Sequence, residues 1–263
     1  MEIELSTLLI LATIALLAGF FDAIAGGGGL LTLPALLVAG IDPLASMATN
    51  KLQASSATVS AVWAFARKGM IRWRTDWPMA TLSYAGGVAG ALSISLLDRA
   101  ILEVAAPVLL IAVAAYFALS PKLGEAERRQ RVSTLCFTLM VAPLIGFYDG
   151  LFGPGTGSFF MVAFTLLLGR QLMQAICSSK LLNAACNLGA LTVFVFAGAI
   201  IWPLALAMAV CAIVGAQLGA RCALLFGPRL IKPLLITVCS LMALKLLLSD
   251  GHPIGVWLSQ LWQ

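Results

Sequence analysis

Apolar residues along this chain come in long runs separated by short polar stretches. Leu5–Ala25, Leu44–Phe65, Trp77–Leu97 and Ile101–Leu119 each approach or exceed the roughly 20 apolar residues that carry a helix across a bilayer core. Val132–Tyr148, Leu172–Ala199, Pro203–Gly219 and Leu230–Leu248 repeat the pattern. The runs predict an all-α integral membrane protein with about eight long transmembrane helices. Two shorter runs, Leu30–Ala39 and Ser158–Leu168, each follow a glycine cluster, Gly26–Gly29 and Gly153–Gly157. Ten helical residues rise only about 15 Å, half the hydrocarbon thickness. These two read as half-helices that begin near mid-membrane at a break. Glu2 and Glu4 precede the first run with no base beside them. A cleaved signal peptide needs a basic leading region, so Leu5–Ala25 is expected to be a retained span.

The chain also repeats itself. Gly19-Phe20-Phe21-Asp22 and Gly146-Phe147-Tyr148-Asp149 are related by an offset of 127, each ahead of its glycine cluster. Lys51-Leu52 and Lys180-Leu181 are related by an offset of 129, as are Gly86 and Gly90 to Gly215 and Gly219. Several landmarks in one order indicate a duplication. Residues 1–120 form the first transmembrane repeat, 121–131 a cytoplasmic linker and 132–263 the second repeat. If each short run completes a crossing, a half has five crossings and the two halves are inverted. If it re-enters and returns, the halves are parallel. Bases favour the cytoplasmic side of a membrane. The inverted arrangement puts twelve of thirteen loop bases inside, including Arg67, Arg170, Arg221 and Arg229; the parallel one puts eight inside and five outside. Inverted repeats, with both termini periplasmic, are the expectation.

Composition narrows the function. Of 263 residues 61% are hydrophobic and 10% charged, where a soluble domain carries about a quarter charged. The net charge of +5 comes from short loops, a retention pattern and not a nucleic-acid stripe. Six cysteines lie in or beside apolar runs without a C-x-x-C pair, and the single histidine, His252, is in the tail. That leaves no ligand set for zinc or haem and no Ser–His pair for proteolysis. No metal, cofactor or enzymatic activity is expected. Gly153-Pro154-Gly155-Thr156-Gly157-Ser158 superficially resembles a phosphate-binding loop but lacks its lysine.

Candidate chemistry clusters at the breaks. Four glycines in lipid would expose unsatisfied backbone groups, so they must line protein or a wet cavity. Gly27, Gly28, Gly155 and Thr156 stand at the N-termini of the half-helices, where free N–H groups attract anions. Asp22 and Asp149 are buried carboxylates at equivalent positions, suited to proton coupling, to pairing with a cation, or to capping the broken backbone. Lys51 and Lys180 enter the long spans with Asn50, Gln53, Asn183 and Asn187 beside them. Asn183 and Asn187, four residues apart, share a helical face. Lysines, amides and carboxamides together make a compact site for a small anion. Gly86, Gly90, Gly215 and Gly219 form small-x-x-x-small patterns expected at helix–helix contacts, which also make a homodimer conceivable. Trp73, Trp77, Trp202, Trp257 and Trp262 lie near span ends, as in an aromatic belt.

Gly19-Phe-Phe-Asp22-Ala-Ile-Ala-Gly26-Gly-Gly-Gly29 followed by Asn50-Lys51-Leu-Gln53 resembles the TauE/SafE sulfite-exporter family, in particular its YfcA-like branch. Gly146-Phe-Tyr148-Asp149-Gly-Leu-Phe-Gly153-Pro-Gly155 and Ser179-Lys180-Leu181-Leu182-Asn183 fit the same pattern. The resemblance implies a multi-pass permease of the bacterial inner membrane that moves sulfite, organosulfonates or related anions. The family is commonly described with about eight spans, so the two short crossings depart from it. The expected function is a secondary transporter, with lipid and a small anion as its only required partners. An anion channel, or a sulfur-handling protein acting through Cys177 or Cys186, are the alternatives.

Overall fold

The computed structural model describes residues 4–94 and 129–247. The run Ile101–Leu119, most of the linker 121–131 and the tail with His252, Trp257 and Trp262 lie outside the described residues. Among those described, all regular structure is helical: α1 (Leu5–Ala25), α2 (Gly29–Val38), α3 (Pro43–Arg67), α4 (Trp73–Leu92), α5 (Thr134–Leu151), α6 (Thr156–Leu166), α7 (Leu172–Phe196) and α8 (Trp202–Leu247).

Local chemistry sets several of these boundaries. Asp42 starts α3 by accepting from the N–H groups of Leu44 and Ala45 at 3.0 and 3.2 Å, with Pro43 in the first helical position. Ser133 caps α5 through the Cys136 N–H. Over Phe137–Val141 that helix widens into a π turn just before Pro143, whose ring and missing N–H disturb the normal ladder. The runs Pro203–Gly219 and Leu230–Leu248, expected to be separate spans, lie on one unbroken helix, α8, as far as its last described residue, Leu247. Ala220–Phe226, between them, is rich in strong helix formers, and Gly227-Pro228 does not end the helix. Arg221, counted above as a loop base, is therefore helical.

Four of the described helices are long and apolar enough to cross a bilayer: α1, α5, α7 and the segment Trp202–Phe226 of α8. Helices α3 and α4 are as long, 25 and 20 residues, but more polar. In α3 the polar residues face inward: Ser46, Thr49, Asn50, Lys51, Gln53, Ser55, Thr58 and Ser60 are all buried, while Trp63 and Val59 point out. A lipid-facing shell around a polar interior is the inverse of a soluble helix. Trp73, Trp77 and Trp202 are half exposed near their helix starts, as a belt requires.

The halves interlock through the small residues. A β-carbon on Gly86 or Gly90 would overlap the carbonyls of Pro143 and Phe147 on α5. One on Gly215 or Gly219 would overlap those of Leu16 and Phe20 on α1. These contacts are the same contact twice, since the helix partners are related by offsets of 129 and 127. Gly146 against Ser83 and Gly19 against Ala212 form another such pair. Each half thus packs its fourth helix onto the first helix of the other. The glycines are consumed inside the chain, so they leave no free face for a second copy.

The same contacts give helix directions. Leu16 and Phe20 rise with Gly215 and Gly219, and Thr49 and Ser60 rise with Ile201 and Ile213. Helices α1, α3 and α8 therefore run one way. Gly86 and Gly90 rise with Pro143 and Phe147, and Ser83 and Gly87 with Leu182 and Cys186. Helices α4, α5 and α7 share a direction. It is opposite to the first, because Lys51 meets Asn187 while Thr49, nearer the start of α3, accepts from Ile201, past the end of α7, and Ala48 shares an apolar cluster with Phe194.

Candidate functional site

Helix α1 ends at Gly26, whose left-handed φ of 79° lets its N–H close on the Asp22 carbonyl at 2.9 Å. Helix α5 ends before Gly153, with φ of 88°. Only glycine adopts such angles cheaply, so both turns are fixed by the sequence. The breaks then touch. Ser158 N–H donates to the Gly26 carbonyl at 3.2 Å, and Ser158 Oγ to the Ala25 and Gly26 carbonyls at 2.6 and 3.1 Å. These bonds satisfy carbonyls that the interrupted helix leaves open.

Helices α3 and α7 lay their lysines across this junction. Lys51 Nζ donates to Asp149 Oδ2 at 2.7 Å, to the Asp149 carbonyl at 2.5 Å and to Asn187 Oδ1 at 3.2 Å. Lys180 Nζ donates to Asp22 Oδ2 at 3.1 Å. Each lysine therefore pairs with the aspartate of the other half, so one exchange of halves maps either ion pair onto its counterpart. Lys51, Lys180 and Asp149 are no more than 2% exposed. Two lysines against two aspartates leave the cluster with no net charge. That is the state low-dielectric surroundings demand, because an unpaired buried ion costs several kcal/mol.

The remaining expected residues fall into three groups. Gly28 N–H donates to Asp22 Oδ1 at 3.2 Å, so the carboxylate also holds one amide of the break. Asn187 Nδ2 bonds the carbonyl and Oδ1 of Asn183 at 2.8 and 2.9 Å, the shared face expected from their spacing. Asn50 Oδ1 is held by Thr32. Asn50, Lys51, Asn183, Asn187, Gly27, Gly28, Gly155 and Thr156 line one small cavity together with Asp22 and Asp149. Lys180 closes it from beside Gly157, where its Nζ would meet a β-carbon at 3.2 Å. Gln53 does not line this cavity; it is buried nearby with Oε1 unpartnered.

The void measures about 20 Å³, room for a water-sized sphere and not for a multi-atom oxyanion. The breaks meet, and the two lysines between them, expected from the sequence to serve a small anion, are each paired with an aspartate. Sequence reasoning passed over Ser158, which ties the two breaks together, and Thr32, which orients Asn50. Both are hydroxyls directly within the half-helices, and their position there was the available signal. Gln217, within the Gly215–Gly219 pattern, donates to the Ser60 carbonyl and hydroxyl, both at 2.8 Å.

Comparison with known proteins adds an independent line. The family model described as Sulfite exporter TauE/SafE matches residues 11–246. A probable membrane transporter protein, ORF9, of a Sinorhizobium species is 46% identical over 244 residues, covering 93% of this chain and 94% of the relative. The probable membrane transporter protein YfcA of Escherichia coli K12 is 42% identical over 250 residues, 95% of this chain and 93% of its own. A probable membrane transporter protein of Haemophilus influenzae is 40% identical over 251 residues, 95% and 98% of the two chains. No solved structure matches.

Proposed function

This chain belongs to the sulfite exporter TauE/SafE family of membrane transporters, and on that premise we propose that it carries a small sulfur-containing oxyanion, sulfite or an organosulfonate, by alternating access. The observation that carries the reading is the reciprocal pairing of Lys51 with Asp149 and of Lys180 with Asp22 where the two breaks touch. Both lysines are charged donors whose acceptors are carboxylate oxygens. A bisulfite or sulfonate group offers the same kind of oxygen at the same charge. It can take a carboxylate's place on a lysine if that carboxylate is neutralised. A proton on Asp22 or Asp149 does so, and for a monoanion such as bisulfite leaves the occupied cluster as neutral as the empty one; a dianion requires a proton on both.

The architecture proposed for this is a pair of inverted repeats, 1–120 and 132–263, with the half-helices α2 and α6 completing their crossings. Two facts support it. The contacts between halves recur under exchange, and α3 and α7, equivalent by sequence, run in opposite directions. Equivalent helices related by an axis along the membrane normal would run the same way. Inverted repeats with broken helices meeting at the midplane are a recurrent transporter plan, with the substrate at the repeat interface. A void with room for about one water supports a carrier over a continuous pore. The bacterial inner membrane is the proposed location.

The test is uptake into proteoliposomes of labelled sulfite and of labelled sulfoacetate. Saturable transport of either, abolished by Lys51→Ala with Lys180→Ala, is the expected result. Transport unchanged in that double variant removes the lysines from the mechanism. No flux of either anion by the wild-type protein removes the substrate class.

A further inference from the structure

The second buried ionic cluster lies away from the junction and has no counterpart under exchange of the halves. Asp76, in the first turn of α4, meets Arg170, in the connection between α6 and α7. Arg170 Nη2 stands 2.7 Å from Asp76 Oδ1. Ser178 Oγ, on α7, donates to Asp76 Oδ2 at 2.7 Å and accepts from Arg170 Nη1. The guanidinium carbon lies 4.5 Å from the centre of the Phe164 ring. Asp76 and Ser178 are buried and Arg170 is 8% exposed. The cluster ties a helix of the first half to the second.

The offset of 129 that relates Lys51 to Lys180 carries Arg170 to Ile41, Ser178 to Thr49 and Asp76 to Ala205. At this other end Ala205 shares an apolar cluster with Ala48, Phe194 and Ile200, and Thr49 accepts from the Ile201 N–H. One end of the molecule is thus held by a buried charge pair. At the equivalent positions, among the described residues, the contacts are apolar packing and neutral hydrogen bonds.

We propose that Asp76, Arg170 and Ser178 form a latch that must open whenever the molecule opens at that end, and that its absence from the other end biases the protein toward being open there. The inference rests on the alternating-access reading above. Opening the latched end separates a buried ion pair before water can fully reach it, whereas opening the other end parts mainly hydrocarbon. This difference biases the balance between the two open states. The residues are positioning groups: none lines the cavity at the junction.

Cys177, buried beside Ser178, is a native reporter of this end. In a background with Cys136, Cys186, Cys211, Cys222 and Cys239 changed to Ser, N-ethylmaleimide labelling of Cys177 is measured in membrane vesicles without substrate. Asp76→Asn and Arg170→Gln are each expected to speed it about tenfold, equivalent to about 1.4 kcal/mol. Ser178→Ala, which leaves no bare charge, is expected to give a smaller rise, about fivefold, and serves if the charge variants fail to fold. With Cys177 also changed to Ser, Thr49→Cys reports the opposite end, and its labelling is expected to slow when Asp76→Asn is added. Labelling that rises at both ends means general loosening and overturns the latch. So does labelling of Cys177 unchanged in Ser178→Ala and in the folded charge variants. Because no substrate is present, a shift in labelling with no sulfite or sulfoacetate flux sinks the proposed function and leaves the latch standing.

Discussion

Lys51 is held by three acceptors, Asp149 Oδ2, the Asp149 carbonyl and Asn187 Oδ1, and buried to 2% exposure. Removing it alone strands a carboxylate in the interior. Lys51→Ala is therefore expected to lower stability by about 3–5 kcal/mol, read as a drop in the thermal midpoint in detergent. Removing both partners avoids the bare charge. Lys51→Met with Asp149→Leu is expected to melt near the wild-type temperature yet carry no anion in proteoliposomes. A double variant that still transports separates the ion pair from function. That experiment divides the structural capping role read for Asp149 in the sequence from the coupling and cation-pairing roles. The sequence exposed both lysines and both aspartates as paired landmarks. It did not say which lysine meets which aspartate, because the crossed pairing depends on helices 98 and 158 residues apart along the chain.

At the scale of elements, the glycine breaks do two jobs, turning the chain and letting the two turns touch. Gly157 faces the Gly26 α-carbon so closely that a β-carbon would sit 2.7 Å from it, against backbone that has little room to shift. Gly157→Ala is expected to cost about 1–3 kcal/mol and to reduce transport well below wild type in proteoliposomes, since the junction itself is pried apart. Gly40 offers the control. Its φ is 78°, but nothing lies within 4 Å of its β-carbon position. Gly40→Ala is expected to cost about 1 kcal/mol of backbone strain with transport unaltered. If Gly157→Ala transports like Gly40→Ala, the touching of the breaks has no part in the cycle. The clusters and their half-helices were legible because glycine and run length are local signals. The continuity of α8 was not: a Gly-Pro pair usually signals a helix end, and only the built helix shows that it does not end here.

Across the whole molecule, the four-residue cluster balances its charge in the occluded state, and any bound anion must arrive with compensation. Sulfite flux is expected to follow an imposed proton gradient and to be insensitive to membrane potential clamped with valinomycin, each anionic charge crossing with one proton on Asp22 or Asp149. Flux that follows the potential instead means that charge moves uncompensated. The sequence by itself determined that this chain lives in a membrane, that it is a duplication, and which residues carry its charge in the interior, because hydropathy, repeat offsets and intramembrane charge are properties of segments. Only the tertiary structure decided that helices of the two halves pack on each other, that each lysine meets an aspartate across the junction, and that Asp76 meets Arg170 in a second buried pair. Those follow from packing between distant helices, where burial leaves a charge no stable place except against an opposite charge that the fold brings to it.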